Sequence, residues 1–235
     1  MSIYAVSDLH LSFSGNVEKP MDVFGGEWVG HTEKVKDNWE RDVKPEDTVI
    51  LAGDISWALK FDDAFADLEW IGALPGKKVF FKGNHDLWWT SANKLNDRFG
   101  GMRFIQNGFY EAEGYALCGS RGWLCPGDVE FTPHDEKIYK RELMRLRTSL
   151  SSAKNAGFSR IIGVLHFPPT NDKFAESGFT DLFEEFGVSR VFYGHLHGAE
   201  GFRRGVNGKI NGVEYRLVSL DYLKCKPMKL EGLYE

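Results

Sequence analysis

Asp8 and His10, Asp54, Asn84, His166, and His195 with His197 form five short clusters of side chains able to hold a metal ion. Carboxylate oxygens, an amide oxygen and imidazole nitrogens, with no cysteine beside them, make a donor set suited to Mn, Fe or Zn. Asp8 and His10 are two residues apart, as are His195 and His197, so each pair can point to one side of an extended segment. Asp54 follows Gly53, whose missing side chain is expected to let the backbone come close to a cation, and a carboxylate has two oxygens with which to bridge two ions. Seven donors exceed the needs of one tetrahedral ion and suit two adjacent divalent ions that share Asp54. The chemistry open to such a pair is metal-assisted hydrolysis, with cations about 3.5–4 Å apart lowering the pKa of a shared water. Taken singly, each residue also reads as a satisfied polar group at a strand end or turn. Only the joint occurrence argues for metal.

The clusters need rigid elements to hold them. Each follows a run rich in Val, Ile, Leu and aromatic residues: 3–7, 48–52, 79–82, 161–165 and 191–193. The crevice beyond the carboxyl ends of strands is where α/β proteins bind ligands. Helical periodicity lies between the runs, at 33–41, from Phe61 to Leu68 with Asp62 as N-cap, and at 91–98. It recurs at 135–156 and from Phe179 to Phe186, where Gly187 closes the helix. After His197, Asn207-Gly208 and Asn211-Gly212 predict turns of antiparallel hairpins, making the sheet mixed. The reading is an α/β chain forming one domain over residues 1–235.

The chain has 29 basic and 34 acidic residues, a net charge of −5, which gives no general attraction to nucleic acid or an acidic membrane. Cys118, Cys125 and Cys225 are odd in number and read as reduced, small buried hydrophobes. No stretch approaches the roughly 20 apolar residues of a membrane span, and no leader pattern precedes the first strand, so a soluble, cytoplasmic protein is expected. Its oligomeric state is not legible.

D-x-H, G-D, G-N-H-D, a lone strand-end His and G-H-x-H, in that order from residue 8 to 197, resemble the calcineurin-like metallophosphoesterase superfamily. The resemblance implies an α+β sandwich of two face-packed mixed sheets flanked by helices. It implies one metal held by Asp8, His10, Asp54 and His197, and a second by Asp54, Asn84, His166 and His195. It leaves His85 as the motif histidine that is not a ligand and acts on the leaving-group oxygen, a role worth about 10²–10⁴ in rate for a general acid. The implied reaction is attack of a metal-bridging hydroxide on a phosphate ester.

The chain departs from the Ser/Thr protein phosphatases of that superfamily, which continue the second motif as G-D-x-x-D-R-G. Trp57 stands where they carry an orienting carboxylate, and Asp86 where they carry Glu. The doubled G-H-x-H resembles the phosphodiesterase-like branch instead. Asp86 then reads either as a partner that holds His85 from behind or as a local turn or cap group. The long segments 13–32 and 119–133 are where substrate contacts are expected. In the second, Arg121 is placed to grip a phosphate and Trp123 to stack on a base, against the plainer alternatives of a salt bridge and a packing anchor. His31 and His134 read as surface or capping residues.

The substrate class is a phosphorylated small molecule or nucleotide, with diesters ahead of monoesters. A metal-binding scaffold without catalysis is the alternative, and a mononuclear iron oxygenase would leave Asn84, His85 and the second ligand set without a role.

Overall fold

Runs that are apolar at every position must be buried on both faces. The computed structural model, which describes residues 1–231, achieves this with two sheets packed face to face and helices outside. The first half of the chain comprises β1 (Ile3–Val6), α1 (His31–Asp42), β2 (Thr48–Leu51), α2 (Phe61–Ala73), β3 (Lys77–Phe80), α3 (Ala92–Arg98) and β4 (Met102–Phe104). The second comprises β5 (Phe109–Ala112), β6 (Tyr115–Gly119), α4 (Pro133–Asn155), β7 (Ile161–Val164), α5 (Gly178–Glu185), β8 (Arg190–Tyr193) and α6 (Gly198–Arg203). Strands β9 (Gly208–Ile210), β10 (Val213–Leu217) and β11 (Met228–Lys229) follow.

Among the described residues one sheet has the order β11-β1-β2-β3-β4 and the other β5-β6-β7-β8-β10-β9. Both are mixed: β1 to β4 run parallel with β11 antiparallel, while β6, β7, β8 and β10 run parallel with antiparallel edges. Strand parity divides the core. Ile3, Ala5, Ile50, Ala52, Val79 and Phe81 meet Leu117, Ile162, Val164 and Phe192 between the sheets. Their alternates, including Val6, Val49, Leu51 and Phe80, face Trp39, Leu68 and Leu95 of the helices α1 to α3. Leu146, Leu150, Phe179 and Phe183 of α4 and α5 cover the opposite side.

Several local expectations are corrected. Lys60, not Asp62, is the N-cap of α2, and it caps without its side chain; Asp62 sits in the first turn, where its charge meets the positive helix end. Helix α4 starts two residues early, at Pro133, because Thr132 and Asp135 close a capping box before it. Only one of the two Asn-Gly pairs makes a hairpin. Asn211 and Gly212 take φ 47° and 89° between β9 and β10, as a type I′ turn requires, whereas Gly208 begins β9. Helix α6, directly after His197, was not expected, nor was the β5–β6 hairpin, turned by Glu113 and Gly114 at φ 53° and 77°. All three cysteines are buried and free, as read.

Candidate metal centre

The carboxyl ends of β1, β2, β3, β7 and β8 open at one edge of the sandwich, where the strand-end clusters converge. Asp8, His10 and His197 form one group, and Asp54, His166 and His195 another; within each, ligand atoms lie within 4.8 Å of one another. In the first, His10 Nε2 lies 3.4 Å from His197 Nε2, which is 3.4 Å from Asp8 Oδ1. In the second, Asn84 Oδ1 is 2.8 Å from His166 Nε2 and 3.0 Å from His195 Nδ1, and His166 Nε2 is 3.2 Å from Asp54 Oδ2. Lone pairs brought face to face in this way need a proton or a cation among them. The donor set fits metal ions in both groups.

Groups behind the ligands fix which nitrogen faces the centre. His166 Nδ1 lies 3.0 Å from the Ala52 carbonyl, which accepts its proton and leaves Nε2 for the site. His197 Nδ1 is 3.0 Å from Asp221 Oδ1, and the other Asp221 oxygen accepts from the Gly198 N–H at 3.0 Å. Asp221 was missed by the sequence reading. Its local signal is weak: it follows the stretch Leu217 to Leu220, which Ser219 interrupts, and no motif marks it. Ser7 was missed too; its hydroxyl donates to Asp8 Oδ2, and the His195 N–H donates to the same carboxylate at 3.0 Å.

Electrostatics of the metal-free site follow from this packing. Burial opposes ionisation of Asp8, but the His197, His166 and His10 rings hold it well below the usual carboxylate range. Burial likewise opposes protonation of His197, yet Asp8 and the Asp221 hydrogen bond carry it up to about 10. His166 is carried to about 9 against its burial by Asp54. Burial pushes His10 down to about 4 and His195 to about 3. Each group of ligands thus keeps one proton where a cation would sit.

The chain is bent hard to bring the ends together. Asp8, His10, Asp54 and His195 all have left-handed backbones, at φ 60°, 47°, 53° and 72°, a concentration of strain characteristic of functional sites. The glycines of the motifs serve neighbouring chain, which corrects the expectation that Gly53 makes room for a cation. A Cβ on Gly53 would lie 2.7 Å from the Gly83 backbone and 2.7 Å from the His166 ring, and one on Gly83 would lie 2.1 Å from Asp54 Oδ1. On Gly194 it would meet Asp8 Oδ2 at 2.4 Å. Of the two roles expected of Asp86, the local turn contact is made and the bond to His85 is not. It does not bond the His85 ring; its fully buried carboxylate accepts from the N–H groups of Asp54 and Ile55 at 2.9 Å, Gly83 at 2.8 Å and the Trp88 indole at 3.1 Å. It ties the β2 end to the β3 end. Burial, reinforced by the Asp54 charge, pushes its pKa up to about 6.

His85 lies outside both ligand groups. Its N–H donates to Asp54 Oδ1 at 2.8 Å, its Nε2 is 4.0 Å from Asp54 Oδ2, and its side chain is 43% exposed. Trp57 packs against it at 4.4 Å between ring centroids and stacks on His10 at 4.5 Å, so an indole occupies the flank of this histidine. Trp28, from the 13–32 segment, closes the other side at 5.4 Å from His197. His31 is buried rather than on the surface, its Nε2 3.1 Å from the Leu9 carbonyl, because Trp28 folds over it; His134 is exposed.

Arg121 and Trp123 lie beside the centre without joining it. The Arg121 carbonyl accepts from the His166 N–H at 3.0 Å, while its guanidinium stands 4.3 Å over the Trp123 ring and 3.5 Å from Glu142 Oε1. Trp123 donates to Asp135 Oδ1 at 2.9 Å and, with Phe167, Leu196 and His195, walls a cavity of about 120 Å³. Both of the plainer alternatives, ion pair and packing anchor, describe contacts that are made. Among the described residues no helix is long and apolar enough to cross a membrane.

Residues 1–199 match the family model described as calcineurin-like phosphoesterase. No curated protein matches the chain. Among solved structures, a Thermus thermophilus protein is similar with a TM-score of 0.60 at 13% identity, covering 97% of each chain. A structure from Mycobacterium tuberculosis titled phosphopantetheinyl hydrolase scores 0.59 at 16% identity, over 98% of this chain and 96% of its own. A protein of unknown function from Aquifex aeolicus scores 0.55 at 20% identity, over 97% and 95%. At these identities the likeness is one of fold.

Proposed function

Since the chain belongs to the calcineurin-like phosphoesterase family, we propose that it is a binuclear phosphohydrolase that prefers diesters to monoesters and works as one domain in the cytoplasm. The observation that carries this is the side-by-side pair of ligand groups. One divalent ion, Mn, Fe or Zn, is assigned to Asp8, His10, Asp54 and His197, and the other to Asp54, Asn84, His166 and His195. Bound there, divalent metal supplies an activated water and neutralises charge on the phosphoryl oxygens.

The chain's own residues do the rest. Asp221 and the Ala52 carbonyl keep His197 and His166 turned with Nε2 toward the centre. His85, free of either ligand group and held by its N–H on Asp54, is assigned to give a proton to the departing oxygen. Trp57 limits where that ring can turn. Trp123 and Arg121 are proposed to contact the substrate's organic part and its charge, the first from the cavity that includes His195. The diester preference is supported by the G-H-x-H pair and by an indole in place of the orienting carboxylate. The substrate is a phosphorylated small molecule or nucleotide.

The test is manganese-dependent hydrolysis of bis-p-nitrophenyl phosphate beside p-nitrophenyl phosphate. The diester should turn over with the higher kcat/KM; a preference for the monoester would overturn the diester reading, and bound metal with no turnover of either ester would point to the metal-binding scaffold.

A further inference from the structure

Beside the metal centre, at the carboxyl ends of β3 and β6, lies a second cavity of about 260 Å³, walled by Lys82, Trp89, Ser120, Arg121, Arg141, Glu142 and Arg145. It holds four cationic side chains against one carboxylate. The fully buried Glu142 directs Oε1 to three guanidinium groups, with Arg145 at 2.7 Å, Arg121 at 3.5 Å and Arg141 at 3.6 Å. One carboxylate cannot neutralise three guanidiniums and a lysine. The hydrogen bonding is incomplete as well: Arg121 Nε and the indole Nε1 of Trp89, itself 4% exposed, are buried donors without an acceptor, and Glu142 Oε2 is a buried acceptor without a donor, one that a protonated phosphate oxygen could supply. Buried donors are rarely left so, and two of them in a cavity of net positive charge call for an anion. The volume is below the roughly 300–1,000 Å³ of pockets for drug-sized ligands, which fits a small polyatomic ion.

We propose that this cavity binds a phosphate dianion, gripped by Lys82, Arg121, Arg141 and Arg145 with the Trp89 indole as a further donor. Two sources share that chemistry: a second phosphate on the substrate, or free inorganic phosphate. The first rests on the hydrolase reading; phosphate binding itself does not.

Titration calorimetry of inorganic phosphate into the chelator-treated full chain is expected to show one saturable site. Lys82→Met should weaken it about tenfold, the size of one lost charged hydrogen bond. Trp89→Phe, which keeps the ring packing, should weaken it by a smaller factor. No saturable binding, or binding unchanged by both substitutions, would overturn the site. On manganese-loaded protein, a thymidine dinucleotide with a 5′-terminal phosphate is then compared with one lacking it. If Lys82→Met raises KM at least tenfold more for the phosphorylated form, the cavity takes a substrate phosphate; equal changes in KM with lost phosphate binding assign it to the free ion.

Discussion

The centre's individual side chains are built so that a proton and a metal ion compete for one place. Because His166 and His197 are protonated in the metal-free site up to about pH 9 and 10, loading at pH 7.5 must expel about two protons. Calorimetry of manganese binding in buffers of different ionisation enthalpy measures that number directly. Asp221→Asn removes the carboxylate behind His197 while keeping its size; manganese affinity should fall about 10–100-fold with the fold intact. His85→Ala and Asp54→Ala separate chemistry from ligation. The first should lower kcat about 10²–10⁴-fold with metal content retained, and the second should lose both. Metal analysis beside steady-state rates distinguishes them. The candidate ligands could be picked out because each motif pairs a donor with its strand end. Asp221 was not, since it lies 24 residues beyond the last motif and only the fold returns it to His197.

At the scale of elements, the site depends on how closely the β2 and β3 ends approach. Gly83→Ala would force a methyl group to within 2.1 Å of Asp54 Oδ1, so the two turns must separate. Manganese binding should be lost, with a drop in Tm of several degrees, read by thermal melts of metal-free protein. The strands and long helices could be read because apolar runs and helical spacing reflect burial that the whole fold honours. The β5–β6 hairpin could not, because Glu113-Gly114 lacks the Asn-Gly or Asp-Gly signal, and Glu113 takes the left-handed backbone that a two-residue turn requires. The partners of Asp86 were hidden for a similar reason: four of its donors are backbone N–H groups, which carry no residue signature.

For the whole molecule, the protons trapped in the site set how stability varies with pH. His166 and His197 have folded values above the usual 6.5, so their contribution to the metal-free protein is fully present below pH 6.5 and lost as pH rises through about 9 and 10. Melting of the metal-free chain should therefore drop between pH 7 and 10, while manganese, binding only the folded form, should raise Tm and flatten that decline. A metal-free Tm that climbs across this range would contradict the assignment. Asp8, His10, Asp54 and Asn84 come from one sheet and His166, His195 and His197 from the other, so each ligand group contains residues of both. Metallation consequently acts as a clasp across the open edge of the sandwich. The shared core already joins the two sheets; bound ions would fasten their open edge as well, and amide exchange around Asp54 and around His195 should slow together at a single metal concentration.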